Sequence, residues 1–175
     1  CKLRHLVSEA IEAFEIALRG NWAHALAMLG DGHSYLETCH YSQLDKFVEN
    51  SAHLVRDIKR SKERFVKNYR DNHTPSFPPV WMIAEILSFG SLSHWYANLK
   101  EASVRQSIAD PFSLDESVFR PLIHHLTVVR NICAHHSRLW NRQVPVALRL
   151  PNNPAHLGQS MNAIMPKGLY NTLTL

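Results

Sequence analysis

At 175 residues, 45% hydrophobic and 19% charged, the chain has the makeup of one globular domain with a real core, which excludes a disordered or fibrous protein. No apolar run approaches the roughly 18 to 20 residues of a membrane span and no signal-peptide pattern opens the chain, so no membrane partner is expected. Nineteen Lys and Arg against fifteen Asp and Glu give +4 with twelve histidines uncounted, a balance that favours a polyanionic partner.

Apolar residues from Leu3 to Leu29 recur at helical spacing (Leu6, Val7, Ala10, Phe14, Leu18, Ala25) and predict a long first helix. Gly30, Gly32 and Ser34 break it, and Tyr41 to His73 resumes as one or two helices. In the latter part Arg56, Lys59, Arg60, Lys67 and Arg70 line one face and Val55, Ile58, Phe65, Val66 and Tyr69 the other. That face is either a solvated stripe pairing with Asp57 and Glu63 or a contact for an RNA backbone. A turn at Pro75 to Pro79 leads into a helix entered through Pro79, which Gly90 ends or kinks, and Leu92 to Lys100 continues as a short helix. Asp110-Pro111 makes a turn, and Asp115 is the expected N-cap of a last long helix. From Pro145 the pattern is lost among Pro151, Asn152, Asn153, Pro154 and Pro166, predicting an irregular tail, docked or loose. With no sustained period-two alternation the chain reads as all-α, an antiparallel bundle over 1–144 followed by a tail over 145–175. Cys1, Cys39 and Cys133, odd in number and without a Cys-x-x-Cys pair, predict free thiols in a reducing cytoplasm. The start at Cys1 and the unpunctuated end at Leu175 predict a fragment of a longer chain.

The last helix carries the chemistry. Arg130-Asn131-Ile132-Cys133-Ala134-His135-His136-Ser137-Arg138-Leu139-Trp140-Asn141 follows an apolar stripe of Phe119, Leu122, Ile123, Leu126, Val129 and Cys133. At about 100° per residue Arg130 projects from the middle of that stripe, towards the core, while His124, Asn131, His135 and Arg138 share a sector roughly 60° wide. Arg130 is then either a structural ion-pair partner of Glu15, Glu63 or Glu85, or part of a working site. Histidine, arginine and asparagine without a carboxylate cluster suit metal-free cleavage of RNA: the 2′-OH attacks the adjacent phosphate, His135 moves protons, Arg130 balances charge, and Asn131 orients the imidazole or holds an oxygen. Arg138 would be a second anion contact.

The spacing alone is weak, since Arg-x4-His also occurs at Arg19 to His24 and Arg120 to His125. On an ideal helix Arg130 and His135 also point roughly 140° apart, so one site requires Arg130 to curl, the helix to deform near Ala134, or two chains to share a cleft across a two-fold axis. His124, His125 and His136 read as cleft or surface residues, Cys133 as a buried thiol, and Trp81, Trp95 and Trp140 as core or interface aromatics. No metal site and no cofactor are expected.

The run Arg130 to Asn141, with Pro78-Pro79-Val80-Trp81-Met82-Ile83-Ala84-Glu85-Ile86-Leu87-Ser88-Phe89-Gly90-Ser91-Leu92-Ser93 and Ser61-Lys62-Glu63-Arg64-Phe65-Val66, resembles the Abi-like (abortive infection) proteins of bacteria, of the HEPN superfamily, over about residues 9 to 142. The resemblance implies a helical HEPN domain whose Arg-x4-6-His motif forms a metal-independent RNase site, composite in a homodimer, acting in phage defence. By position Arg130 and His135 match the motif and Asn131 the polar residue that follows the arginine. Arg138, Arg56, Lys59, Arg60 and Lys67 would bind RNA. The alternative is a non-catalytic HEPN module, antitoxin-like or regulatory, that binds RNA or a partner protein.

Overall fold

The computed structural model describes residues 2–74, 77–152 and 154–174, and among them the chain is all-α, with two isolated bridges (Tyr41 to Leu99, Gln143 to Gly168) and no strand. The helices are α1 (Lys2–Ala27), α2 (Leu44–Arg60), α3 (Arg64–Asn72), α4 (Val80–Ile86), α5 (Phe89–Ala97), α6 (Ala102–Ala109), α7 (Glu116–Ala134), α8 (Ala155–Ser160) and α9 (Leu169–Thr174). They form two compact units, a terminal unit of residues up to Ala17 and from Ala109 onward, and a middle unit, Leu18–Ile108. The C-terminal segment clusters with α7 in the terminal unit. Among the described residues no helix is long and apolar enough to cross a membrane.

The middle unit is built on aromatic side chains. Trp95 of α5 is 1% exposed and meets Trp22, Tyr35, Tyr41 and Phe47 at centroid distances of 5.3 to 6.4 Å, with Tyr35, Tyr41 and Phe47 edge-on to it. Edge-on contacts set the positive ring edge against a negative face. Two buried tyrosines then tie loops to this cluster: the Tyr35 hydroxyl donates to the Pro78 carbonyl at 2.7 Å and that of Tyr41 to the Tyr35 carbonyl at 2.8 Å. Burial pushes both phenols above their ordinary range, so neither ionises. After α1 the chain turns at Gly32, where a Cβ would come within 2.7 Å of the Trp81 ring, and the Gly32 carbonyl accepts from Val80 N–H at 2.7 Å.

One boundary differs from expectation. The chain enters α4 through Pro79, its N-cap, but the helix ends at Ile86 with Leu87 as C-cap, before Gly90 is reached. The chain is extended at Leu87 and Ser88, and the Ser88 hydroxyl accepts from Ser91 N–H at 3.1 Å, so Gly90 lies in the first turn of α5. A capping serine outweighed the glycine as punctuation. Helix α6 has no counterpart in the sequence reading, its short pattern being hidden by three serine and charged positions. The turn around Pro75 lies outside the described residues, as do Cys1 and Asn153.

In the terminal unit Val7 and Ile11 of α1 are buried, and the rings of Phe14, Phe112 and Phe119 pack tilted on one another with centroids 4.7 to 5.7 Å apart. The tail is docked and partly helical. Val144 N–H donates to Lys167 carbonyl at 2.8 Å, Leu148 N–H to Pro166 carbonyl at 3.0 Å, and Val144, Leu148, Met161 and Leu169 are buried. Asn171, fully buried, accepts from Asn162 N–H at 2.7 Å and donates back to its carbonyl at 3.0 Å, a side chain imitating a strand partner.

Candidate functional site

Helix α7 begins as its sequence demands. Asp115 accepts from Ser117 N–H at 2.8 Å, and hydrogen bonding from the Ser117 side chain first, then its backbone, holds the carboxyl below the usual range. Leu122, Ile123, Leu126, Val129, Ile132 and Cys133 are buried along its length.

Its far end sets the site. α7 stops at Ala134, and His135 is the C-cap with φ −84° and ψ 13°. Ser137 N–H returns to the Ile132 carbonyl and His136 N–H to the Cys133 carbonyl, both at 3.1 Å, the paired bonds of a Schellman ending. This motif needs a left-handed residue, ordinarily glycine, and His136 fills it at φ 53°. Helix α1 braces the turn, because Arg4 donates to the His136 carbonyl at 3.0 Å. Arg4 escaped the sequence reading, since 132 residues separate it from its partner and spacing carries no such signal. It brings a cation to the end of α7 where the helix dipole favours one.

Arg130 differs from expectation. By angle it sits with Phe119, Ile123 and Leu126, all buried, yet Arg130 is exposed and among the described residues makes no hydrogen bond or ion pair. The cover over that side of the helix ends before the last turn, where burial rotates to Val129, Ile132 and Cys133. The guanidinium is therefore not a core group, and within the terminal unit it is not paired with Glu15. Asn131 and His135 are also exposed, so the three side chains of the expected site face solvent within the last turn and its cap. The four-residue sector of His124, Asn131, His135 and Arg138 does not form, because the helix ends before Arg138. That arginine is exposed and donates to the Trp140 carbonyl at 3.1 Å. The deformation of α7 falls at His136 rather than at Ala134. His135 keeps a near-helical φ, so the roughly 140° of an ideal helix is still the expected angle between Arg130 and His135 within one chain.

The other Arg-x4-His pairs resolve differently. Arg19 donates to the Ala84 carbonyl within the middle unit. His125 is fully buried, not a cleft or surface residue: its Nδ1 lies 2.7 Å from the Val146 carbonyl and its Nε2 2.7 Å from the Thr172 hydroxyl. A carbonyl only accepts, so the proton sits on Nδ1 and Nε2 accepts from threonine. Burial lowers the pKa of this ring, helped by neighbouring His124 and opposed by the bond to Val146. His125 thus pins the C-terminal segment to α7. His124 and His136 are exposed.

The basic stripe is real but not continuous, because Ser61–Glu63 separate α2 from α3. Arg56, Lys59, Arg60 and Lys67 are exposed; Arg56 contacts His53 Nδ1 at 2.8 Å, and among the described residues Lys59, Arg60 and Lys67 make no ion pair, including with Asp57 or Glu63. Leu54, Ile58 and Val66 form the buried side, whereas Phe65 is 36% exposed. Of the tryptophans, Trp95 is core, but Trp81 and Trp140 are 56% and 70% exposed. Trp140 and Tyr170 both border a cavity of about 430 Å³ in the terminal unit. Cys133 is a buried free thiol and Cys39 an exposed one.

The model of the family described as Abi-like protein matches residues 1–141, a span that takes in the whole of α7 and its capping turn. No curated protein and no solved structure matches the chain.

Proposed function

As the chain belongs to the Abi-like protein family, we propose that it is a metal-independent endoribonuclease of the HEPN type that acts in phage defence as a homodimer. The observation that carries this reading is the end of α7, where Arg130, Asn131 and His135 stand exposed on a capped and braced helix terminus. With side chains that are solvated and, among the described residues, without partners, they are available to a substrate in a way that the buried His125 is not.

In the proposed reaction the ribose 2′-oxygen attacks the adjacent phosphorus and the bond to the 5′-oxygen breaks, leaving a 2′,3′-cyclic phosphate and a 5′-hydroxyl. One His135 takes the 2′-OH proton, and the partner's His135 gives a proton to the departing oxygen. Arg130 donates to the equatorial oxygens, whose negative charge grows in the transition state. Asn131 holds an imidazole or a phosphate oxygen. A dimer supplies what the angle between Arg130 and His135 denies to one chain, since each subunit contributes the group the other lacks. Arg138, Arg56, Lys59, Arg60 and Lys67 would bind the RNA backbone, and Trp140 would offer a face to an unstacked base.

The test is incubation of labelled single-stranded RNA with the protein in EDTA, wild type against His135→Ala. Cleavage leaving 2′,3′-cyclic phosphate or 3′-phosphate ends in the wild type alone is the expected result. Cleavage that survives the substitution overturns the assignment, and RNA binding without cleavage in the wild type favours a non-catalytic binding module, which the unpaired cations Lys59, Arg60 and Lys67 would serve.

A further inference from the structure

The histidine-rich end of α7 suggested no metal ligand set, but a different part of the chain holds one. Between Leu36 and Tyr41 the backbone makes a single 3-10 turn, Thr38–His40, flanked by Glu37. Residues three apart eclipse on such a helix, so the side chains of Glu37 and His40 lie side by side, with Cys39 next to them. Glu37 Oε2 is 3.3 Å from His40 Nε2 and 3.7 Å from Cys39 Sγ, and the three donor atoms all lie within 4.8 Å of one another.

The 3.3 Å between Glu37 and His40 matches an edge of a coordination tetrahedron, and the 3.7 Å between Glu37 and Cys39 lies just beyond one. With zinc-to-oxygen and zinc-to-nitrogen bonds of about 2.0 to 2.1 Å and a zinc-to-sulfur bond of about 2.3 Å, tetrahedral edges run from about 3.3 to 3.6 Å. The His40 nitrogen supplies an independent sign. It is closed off from water and among the described residues has no hydrogen-bond partner, while lying at ion-pair distance, 3.3 Å, from the Glu37 carboxylate. A carboxylate and an imidazole at that separation stand as two ligands of one ion would. The turn is also held in place by its main chain: His40 carbonyl accepts from Lys100 N–H at 2.9 Å, Tyr41 N–H returns to Thr38 carbonyl at 3.2 Å, and Tyr41 bridges Leu99. Ligands on a fixed turn lose little freedom on binding.

We propose that Glu37, Cys39 and His40 form a mononuclear site for a zinc-class divalent ion, with three protein ligands and a fourth position open to water. Thiolate, imidazole and carboxylate together select a borderline ion over magnesium or calcium, which take oxygen donors. Glu37 and Cys39 are exposed, so an entry path exists. The site belongs to the middle unit and does not rest on the ribonuclease reading, whose assay in EDTA is unaffected by it.

The experiment is titration of EDTA-stripped, chelator-free, reduced protein with cobalt(II), read by its tetrahedral visible bands and its near-ultraviolet thiolate-to-cobalt band. The wild type should show both. Cys39→Ser should lose the charge-transfer band with an unchanged circular dichroism spectrum, and His40→Gln should weaken binding by about tenfold or more, since even outer-shell partners of a metal ligand are worth that much. In the unaltered protein, zinc should also slow alkylation of Cys39. Absence of the band, a band that survives Cys39→Ser, or an alkylation rate indifferent to zinc would overturn the proposal.

Discussion

Two histidines on α7 stand in the same local pattern and do opposite things. Arg120-x4-His125 and Arg130-x4-His135 are ten residues apart on one helix and indistinguishable by spacing. His125 has no exposed surface and spends both ring nitrogens on Val146 and Thr172, whereas His135 caps the helix, faces solvent and makes no side-chain hydrogen bond. The difference comes from where each falls along the helix. A ring in mid-helix is covered by the returning C-terminal segment; one at the last turn lies where the cover has ended. A motif of this kind is therefore identified by its position relative to a helix end.

Mutation of the two rings should separate them most sharply. His135→Ala is expected to lower RNA cleavage by roughly 10² to 10⁴ with little change in melting temperature, as general acid-base groups typically contribute that much. His125→Leu keeps the bulk but leaves the Val146 carbonyl and Thr172 hydroxyl without their partner, at a cost of about 2 kcal/mol in stability and none in cleavage at temperatures where the variant is folded. The two outcomes are read by single-turnover cleavage and denaturant unfolding on the same samples. If His125→Leu abolished cleavage without destabilising the fold, the comparison would be inverted and the buried ring would be the functional one.

The same pair predicts a pH effect of known sign. Burial holds the folded His125 pKa below its ordinary value, so from about pH 6.5 downward the unfolded chain takes up a proton that the folded one refuses. Stability contributed by the neutral ring is complete above about pH 6.5, is lost as pH falls towards the folded pKa, and changes no further below it. Melting temperatures at pH 7.5 and 5.5 should therefore fall further apart in the wild type than in His125→Leu, the remaining histidines being common to both. Equal slopes would mean that the Val146 bond cancels the effect of burial.

How much of this was legible can be judged residue by residue. The all-α class, the long first helix and the Asp115 cap follow from periodicity and local hydrogen bonding, which one sequence contains in full. The exposure of Arg130 does not: its helical angle is that of Ile123, and only the ending of the cover in three dimensions distinguishes them. Nor could spacing show that Arg4 braces the last turn, or that Ser88 rather than Gly90 punctuates α4 and α5, because competing local signals are decided by packing. The Glu-x-Cys-His run matches no familiar zinc spacing, and its donors are brought together only by the 3-10 turn.

The smallest expected effect concerns the residue that follows the cap of α7. His136 occupies the left-handed C′ position at φ 53°, where a side chain costs about 1 kcal/mol relative to glycine. If the imidazole has no other task, His136→Gly should relieve that strain and stabilise the protein by about 0.5 to 1 kcal/mol, less the extra freedom glycine gains in the unfolded chain. Its carbonyl would still accept from Arg4, so the brace stays and cleavage should be unchanged. A variant that is more stable but cleaves more slowly would show that the strained histidine is kept for the site, and would extend the contrast with His125 from two rings to three. A variant that is less stable would show that the His136 ring itself supports the turn, which the described contacts, all through its main chain, do not predict.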